Sequence, residues 1–305
     1  MDAISCNSKS ESKSQTRRLR KMEQVKPAIE FVKDTFAEYL SKKDYVAASD
    51  IKSFLNSPAK YYFEKFVKVE KEEQRHFSIG SGLHEMILEP DLFKTNYVVC
   101  PKVDGRTKEG KALLAKFKEK AEGKTILFED EMEMIRLMAE NALKNHTLTE
   151  LMLGSYRELS VYTEDPVTGL KLRMRPDSMA QSKSTIVDIK SCLDSSPKKF
   201  KNDVYNFGYS LSAAYYCDFI GRENYVFAAI EKQAPYQVAL YVLNDEMMDY
   251  GRTQYRMGLD LIKFCQDNNV WPSYNEFEVM KDCYLLGSLD TYLETVKTSQ
   301  LITIL

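Results

Sequence analysis

Residues 176–191 read PDSMAQSKSTIVDIKS, and the fold turns on how the last seven of them sit in a strand. Side chains alternate between the faces of a strand, so Ile186, Asp188 and Lys190 share one face while Val187 and Ile189 share the other. The face of Val187 and Ile189 is apolar and belongs against a core. The opposite face carries a carboxylate beside an ammonium, and the preceding strand of a meander can bring Asp177 alongside. Two carboxylates aimed at one point repel unless a cation lies between them. A hard divalent metal with oxygen ligands meets that need. Hydrolysis of a phosphodiester asks for such a metal, to bind a phosphate oxygen and to make a water more acidic. Lys190 would then orient or help deprotonate the water, or stabilise the charge developing on phosphate. Taken alone, Asp-x-Lys at the end of an apolar strand fits equally a surface hairpin with an exposed salt bridge.

Upstream, RELSVYTED from Arg157 and LKLRMRPDSMA from Leu170 alternate like strands, with turns at Pro166–Gly169 and Gln181–Ser184. Together with Thr185–Ser191 they predict a three-stranded antiparallel meander. Downstream, a helix is expected over Tyr205–Phe219, strands over Asn224–Ile230 and Gln237–Leu243, and a long polar helix from Asp245 to about Asp267. Earlier in the chain, Ala47–Val67 predicts two short helices meeting at Ser57-Pro58, with Ser49 or Asp50 as a cap. Phe77–Glu89 predicts an amphipathic helix stopped by Pro90. A short strand at Asn96–Cys100, a helix at Glu109–Lys120 and a helical region at Glu129–Leu153, broken near Asn145-His146, complete the reading. The fold class expected is α/β: a central mixed β-sheet flanked by α-helices, with a helical N-terminal part.

The 305 residues are 44% hydrophobic and 29% charged, which is globular material sufficient for a large core. A net charge of -2 decides neither for nor against nucleic acid, because a groove can be basic within a neutral total. Lys198, Lys199 and Lys201, with Lys102, Arg106, Lys108 and Lys111, are candidates to line such a groove, or simply a solvated surface. The six cysteines form no CxxC pair and read as reduced thiols of a cytoplasmic protein. No window approaches the run of about 18 apolar residues of a membrane span. Residues 1–28, with the cluster Arg17-Arg18-Leu19-Arg20-Lys21, read as a flexible basic tail.

Pro176-Asp177 one short hairpin before Asp188-Ile189-Lys190, and Gly80-x-x-x-His84 on an earlier helix, resemble the PD-(D/E)XK nuclease superfamily and its RecB-like branch. The stretches ASDIKSFLNSPAKYY, GSGLHEMILEP, TKEGKALLAKF, FGYSLSAAYY and WPSY extend the resemblance to RecE-type (exonuclease VIII) exodeoxyribonucleases. It implies a restriction-endonuclease-like core over residues 29–275, with 276–305 as a C-terminal extension.

The resemblance also implies roles. His84, Asp177 and Asp188 would be metal ligands, completed by the carbonyl of Ile189, and Lys190 the catalytic lysine. Glu158 either assists the metal or is an exposed strand glutamate. Ser212 and Tyr216, four residues apart and so on one helix face, fall on the family's QxxxY motif, which handles DNA. Ser212 departs from it, since a short hydroxyl cannot span what an amide does. The ion implied is Mg²⁺, with Mn²⁺ able to substitute. Digestion of linear duplex DNA ends, a homo-oligomeric ring and a single-strand annealing protein as partner follow from the resemblance alone. Two rivals remain. One is a RecB-like nuclease with an iron-sulfur cluster, which the scattered cysteines disfavour. The other is a catalytically silent module that keeps the fold and binds DNA or a recombination partner.

Overall fold

The computed structural model describes residues 27–67, 75–101, 103, 106–121, 123–181 and 184–294; the basic cluster at 17–21 and Lys102 lie outside them. The described chain opens with strand β1 (Glu30–Val32) and helix α1 (Phe36–Ser41). Thr35 caps α1 reciprocally with Glu38: its hydroxyl accepts from the Glu38 N–H, and the Glu38 carboxylate accepts from the Thr35 N–H.

Helices α2 (Ala48–Asn56) and α3 (Pro58–Tyr62) meet where the sequence predicts. Ser57 caps α3 by accepting from the Lys60 N–H, and Pro58 takes the first helical position, where its missing N–H is not needed. The cap of α2 is Ala47 rather than Ser49 or Asp50. Asp50 lies one turn inside and accepts from the Ala47 N–H. A π-helical turn, Phe63–Val67, continues α3.

Helix α4 (Arg75–Leu88) carries the GSGLH stretch, and Pro90 opens the next helix, α5 (Pro90–Asn96). Strand β2 (Tyr97–Cys100), helix α6 (Lys108–Lys120) and strand β3 (Thr125–Phe128) follow, the two strands pairing in parallel. The sequence reading missed β3. Helices α7 (Glu129–Lys144) and α8 (His146–Met152) are divided at Asn145, whose side chain accepts from the Leu148 N–H and caps α8.

The predicted meander divides between two sheets. Its strands are β4 (Tyr156–Arg157), β5 (Ser160–Glu164), β6 (Lys171–Met174), β7 (Ser178–Met179) and β8 (Thr185–Cys192). Helices α9 (Pro197–Asn206) and α10 (Tyr209–Ile220), strands β9 (Asn224–Glu231) and β10 (Val238–Val242), and helices α11 (Asp245–Asn268) and α12 (Tyr274–Leu285) close the chain. One sheet has the order β10-β9-β8-β7-β4 and the other β1-β5-β6. The first and second predicted strands are therefore each two strands with a break. The first break is at Glu158, with φ 49, and the second at Pro176, which has no N–H to give a ladder. The helix predicted over Tyr205–Phe219 is likewise two helices, interrupted by Gly208 at φ 59.

Strand β8 pairs in parallel with β9 and antiparallel with β7, so the five-stranded sheet is mixed, as expected. Both of its faces are covered. Ile186 belongs to the core region that holds Phe200, Leu211 and Phe227, while Val187 and Ile189 pack with Leu83 and Ile87 of α4 and Met138 of α7. A strand enclosed in this way reads as a nearly unbroken apolar run, so its two charged residues stand out. Among the described residues no helix is long and apolar enough to cross a membrane. Cys192, Cys217, Cys265 and Cys283 are free thiols.

Candidate metal centre

His84 on α4, Asp177 just before β7 and Glu158 just after β4 offer ligand atoms that all lie within 4.8 Å of one another. The β4–β7 ladder pairs Tyr156 with Met179 and Arg157 with Ser178, which sets Glu158 opposite Asp177, and the Glu158 N–H donates to the Asp177 carbonyl at 3.2 Å. His84 Nδ1 lies 3.4 Å from Asp177 Oδ2. Gly82 brings α4 close enough to α7 for this: a Cβ there would come within 2.9 Å of Ile135 Cδ1. The side chains keep a route to solvent, with His84 28% and Asp177 14% exposed.

Asp188 stands beside this group rather than in it. Lys190, two residues along the same face of β8, bonds its Oδ1, and Tyr225 of β9 donates to its Oδ2 at 2.9 Å. Ile189 reaches the site through its N–H, which donates to Asp177 Oδ2 at 2.6 Å; the sequence reading had given it a part through its carbonyl. The structure thus brings together His84, Asp177 and Glu158, with the Asp188–Lys190 pair adjacent.

Charge separates the carboxylates. Burial pushes Glu158 up to about 8, the charge of Asp177 adding to the shift and the Arg175 guanidinium opposing it. Burial pushes Asp177 up to about 6, against the attraction of His84. Burial acts on Asp188 in the same direction, but the Lys190 ammonium outweighs it and holds the carboxyl below its ordinary range. Lys190 in turn, despite burial, is raised by Asp188 and Asp177 and stays protonated. One ionised pair is therefore satisfied, while two carboxyl groups are opposed by their surroundings in giving up their protons. A divalent cation relieves that opposition, and two carboxylate oxygens with one imidazole nitrogen form a donor set that fits Mg²⁺ or Mn²⁺.

Arg175 supports the group and escaped the sequence reading. Its Nε donates to Glu158 Oε2 at 2.8 Å, and its Nη1 donates to Ser160 Oγ at 2.9 Å and to the Asp34 carbonyl at 3.1 Å. Arginine at alternate positions in LKLRMR was the available signal, since a strand so enclosed retains a charge only with partners.

Tyr216 is turned inward. Its hydroxyl accepts from the Arg175 N–H at 3.4 Å and its ring meets Tyr225 edge-on at 6.1 Å, so it braces the segment that leads to Asp177. Ser212 lies one turn earlier on α10, half-buried. Lys198, Lys199 and Lys201 are exposed on α9, as are Arg106, Lys108 and Lys111 at the start of α6.

Comparison with solved structures finds a candidate exonuclease of Eubacterium rectale at a TM-score of 0.58 and 17% identity, covering 80% of this chain and 91% of that one. That likeness is one of fold. A phage-related exonuclease of Haemophilus somnus 129PT (TM-score 0.36, 10% identity, 74% of this chain and 96% of that one) is more distant. So is an alkaline exonuclease of Laribacter hongkongensis (TM-score 0.28, 12% identity, 76% and 97%). Comparison with curated protein sequences gives no match. Residues 47–282 match the family described as a PDDEXK-like domain of unknown function (DUF3799). That span holds His84, Glu158, Asp177, Asp188 and Lys190 together, in agreement with the superfamily expected from the sequence, and the chain belongs to this PDDEXK-like family.

Proposed function

We propose that the protein is a metal-dependent exodeoxyribonuclease that hydrolyses phosphodiester bonds at the ends of linear double-stranded DNA, processing them for recombination. The observation that carries this reading is the gathering of His84, Glu158 and Asp177 within 4.8 Å beside an Asp188–Lys190 pair on one strand. His84, Glu158 and Asp177 would hold Mg²⁺, or Mn²⁺ in its place, with Asp188 at hand. When bound, the ion supplies Lewis acidity to a phosphate oxygen and to water.

The chain's own residues define the remaining roles. Lys190 is kept protonated by its acidic neighbours, which suits it to stabilise negative charge on the phosphate rather than to take a proton from water. Tyr225 and the Ile189 N–H hold Asp188 and Asp177 in fixed orientations, so the site is organised before substrate arrives. A homo-oligomer, a single-strand annealing partner and a cytoplasmic setting belong to the proposal through the resemblance to RecE-type enzymes.

Linear duplexes labelled at either the 5′ or the 3′ end, with circular DNA as control, test the reading. Label is released from linear duplex in Mg²⁺ or Mn²⁺ and not in chelator, and circular DNA survives. Intact linear duplex in both metals would leave the catalytically silent binding module as the better account. Cutting of the circle would replace the exonuclease with an endonuclease.

A further inference from the structure

Lys52 enters the same neighbourhood from α2. Its aliphatic stem lies over Gly208, where a Cβ would sit 3.4 Å from Lys52 Cδ and 3.6 Å from its Cγ and Cε. Gly208, at φ 59, is the break between α9 and α10, so the backbone there is both turned and bare beneath the lysine. Beyond the glycine, Lys52 Nζ is 5.7 Å from the centroid of the Tyr209 ring, and Lys190 Nζ is 5.3 Å from the same centroid. The ring is fixed by stacking on Phe227 with centroids 5.5 Å apart.

Two ammonium groups thus share one aromatic ring, and only one of them is neutralised. Lys190 is paired with Asp188, whose other oxygen is taken by Tyr225. Lys52 forms no ion pair or hydrogen bond with the other described residues. Its position is electrostatically unfavourable: burial pushes the ammonium down to about 8, the repulsion of Lys190 adds to this, and Asp188 offsets only part. A methionine or leucine would pack the same stem without that cost. An unpartnered cation held beside a hydrolytic site is suited to an anion that arrives with the substrate.

We propose that Lys52 is a phosphate-binding residue of the site, its ammonium receiving a non-bridging oxygen of the DNA phosphate next to the scissile one, beside the Tyr209 ring that Lys190 also approaches. The inference rests on the nuclease reading and adds to it a contact on the substrate strand. Both cations approach the Tyr209 ring, Lys190 tied to Asp188 and serving the phosphate under attack, Lys52 untied and serving its neighbour.

The test compares the full chain with Lys52→Met, which keeps the stem and removes the charge, and Lys52→Arg, which keeps the charge. Steady-state rates on linear duplex are measured between 50 and 200 mM salt. Lys52→Met is expected to raise KM roughly tenfold with kcat little changed, as for loss of one charged hydrogen bond made equally before and during reaction. The plot of log(kcat/KM) against log salt becomes shallower by about one, the signature of one lost phosphate contact. Lys52→Arg restores both. An unchanged KM and salt slope in Lys52→Met overturns the proposal. Should that variant fail to fold, Lys52→Gln gives the same reading, and an unchanged slope there overturns it equally. If the unmodified chain leaves duplex intact, it is the nuclease reading that fails. The salt slope of duplex binding by fluorescence anisotropy then judges Lys52 separately.

Discussion

Arg175 donates to Glu158 at 2.8 Å from a position where its own side chain is only 9% exposed. The same guanidinium reaches Asp34, which ties the link between β1 and α1 to the candidate metal centre. Arg175→Met leaves Glu158 without its cation and Asp34 with only Lys42, 3.9 Å away. It is expected to lower stability by about 3 kcal/mol in chemical denaturation and metal affinity by about tenfold or more in titration. Arg175→Lys rescues neither fully, because one ammonium cannot replace a planar fork that serves three partners. A variant as stable and as metal-avid as the parent would dismiss the supporting role.

Lys190→Ala and Asp188→Asn address the chemistry itself. Each is expected to slow label release from linear duplex by about a hundredfold or more under single-turnover conditions, the scale seen when a preorganised charge is removed from a transition state. Circular dichroism should remain that of the parent. Parental rates in Lys190→Ala would remove the Asp-x-Lys strand from the mechanism.

The raised carboxyl groups predict a pH dependence whose sign can be worked out. A carboxyl with a raised pKa holds its proton more tightly in the native than in the unfolded state, so stability falls as pH rises between the two values. For Glu158 that window runs from the ordinary value of 4.5 to about 8, and for Asp177 from 3.8 to about 6. In chelator the melting temperature should therefore decline from pH 5 to 8 and level off above. Asp188, which is lowered, works in the opposite sense and only in more acidic solution. Added Mg²⁺ binds the ionised groups and releases protons, so the stabilisation it gives grows across the same window. Glu158→Gln should flatten the decline above pH 6; a slope that persists in that variant would mean that other groups cause it.

Tyr216 invites a subtler substitution. Since its hydroxyl accepts the Arg175 N–H, Tyr216→Phe is expected to cost about 1 kcal/mol of stability while leaving KM for duplex DNA within about twofold. A large rise in KM with unchanged stability would instead return Tyr216 to direct substrate contact.

Much of this arrangement was legible in the chain. The alternation in TIVDIKS identifies an enclosed strand and separates its charged face from its apolar one, and Ser57-Pro58 announces a cap and a first helical residue. The division of the meander was not legible. Glu158 adopts a left-handed backbone that glycine or asparagine would have signalled and glutamate does not. The same fact hid the standing of Glu158: a strand residue read by alternation turned out to sit at a kink facing Asp177. Arg175 acts through partners distant in sequence, Asp34 being 141 positions away, and Lys52 approaches a ring far along the chain, that of Tyr209, so no local pattern carries such relationships. β3 was missed because TILF runs directly into a helix with no turn residue between them.

Strand β8, covered on both faces and flanked by β7 and β9, is the central strand of the five-stranded sheet. Its amide protons should exchange with deuterium only when the whole domain opens, whereas the ends of β4 and α8 exchange through local excursions. The Asp188–Lys190 pair is thereby anchored to an interior strand that is slow to loosen, and Glu158 to a margin that can yield. Heating or mild denaturant should for that reason erode the carboxylate at the rim before the lysine at the centre, so that metal retention fails at a lower temperature than the fold.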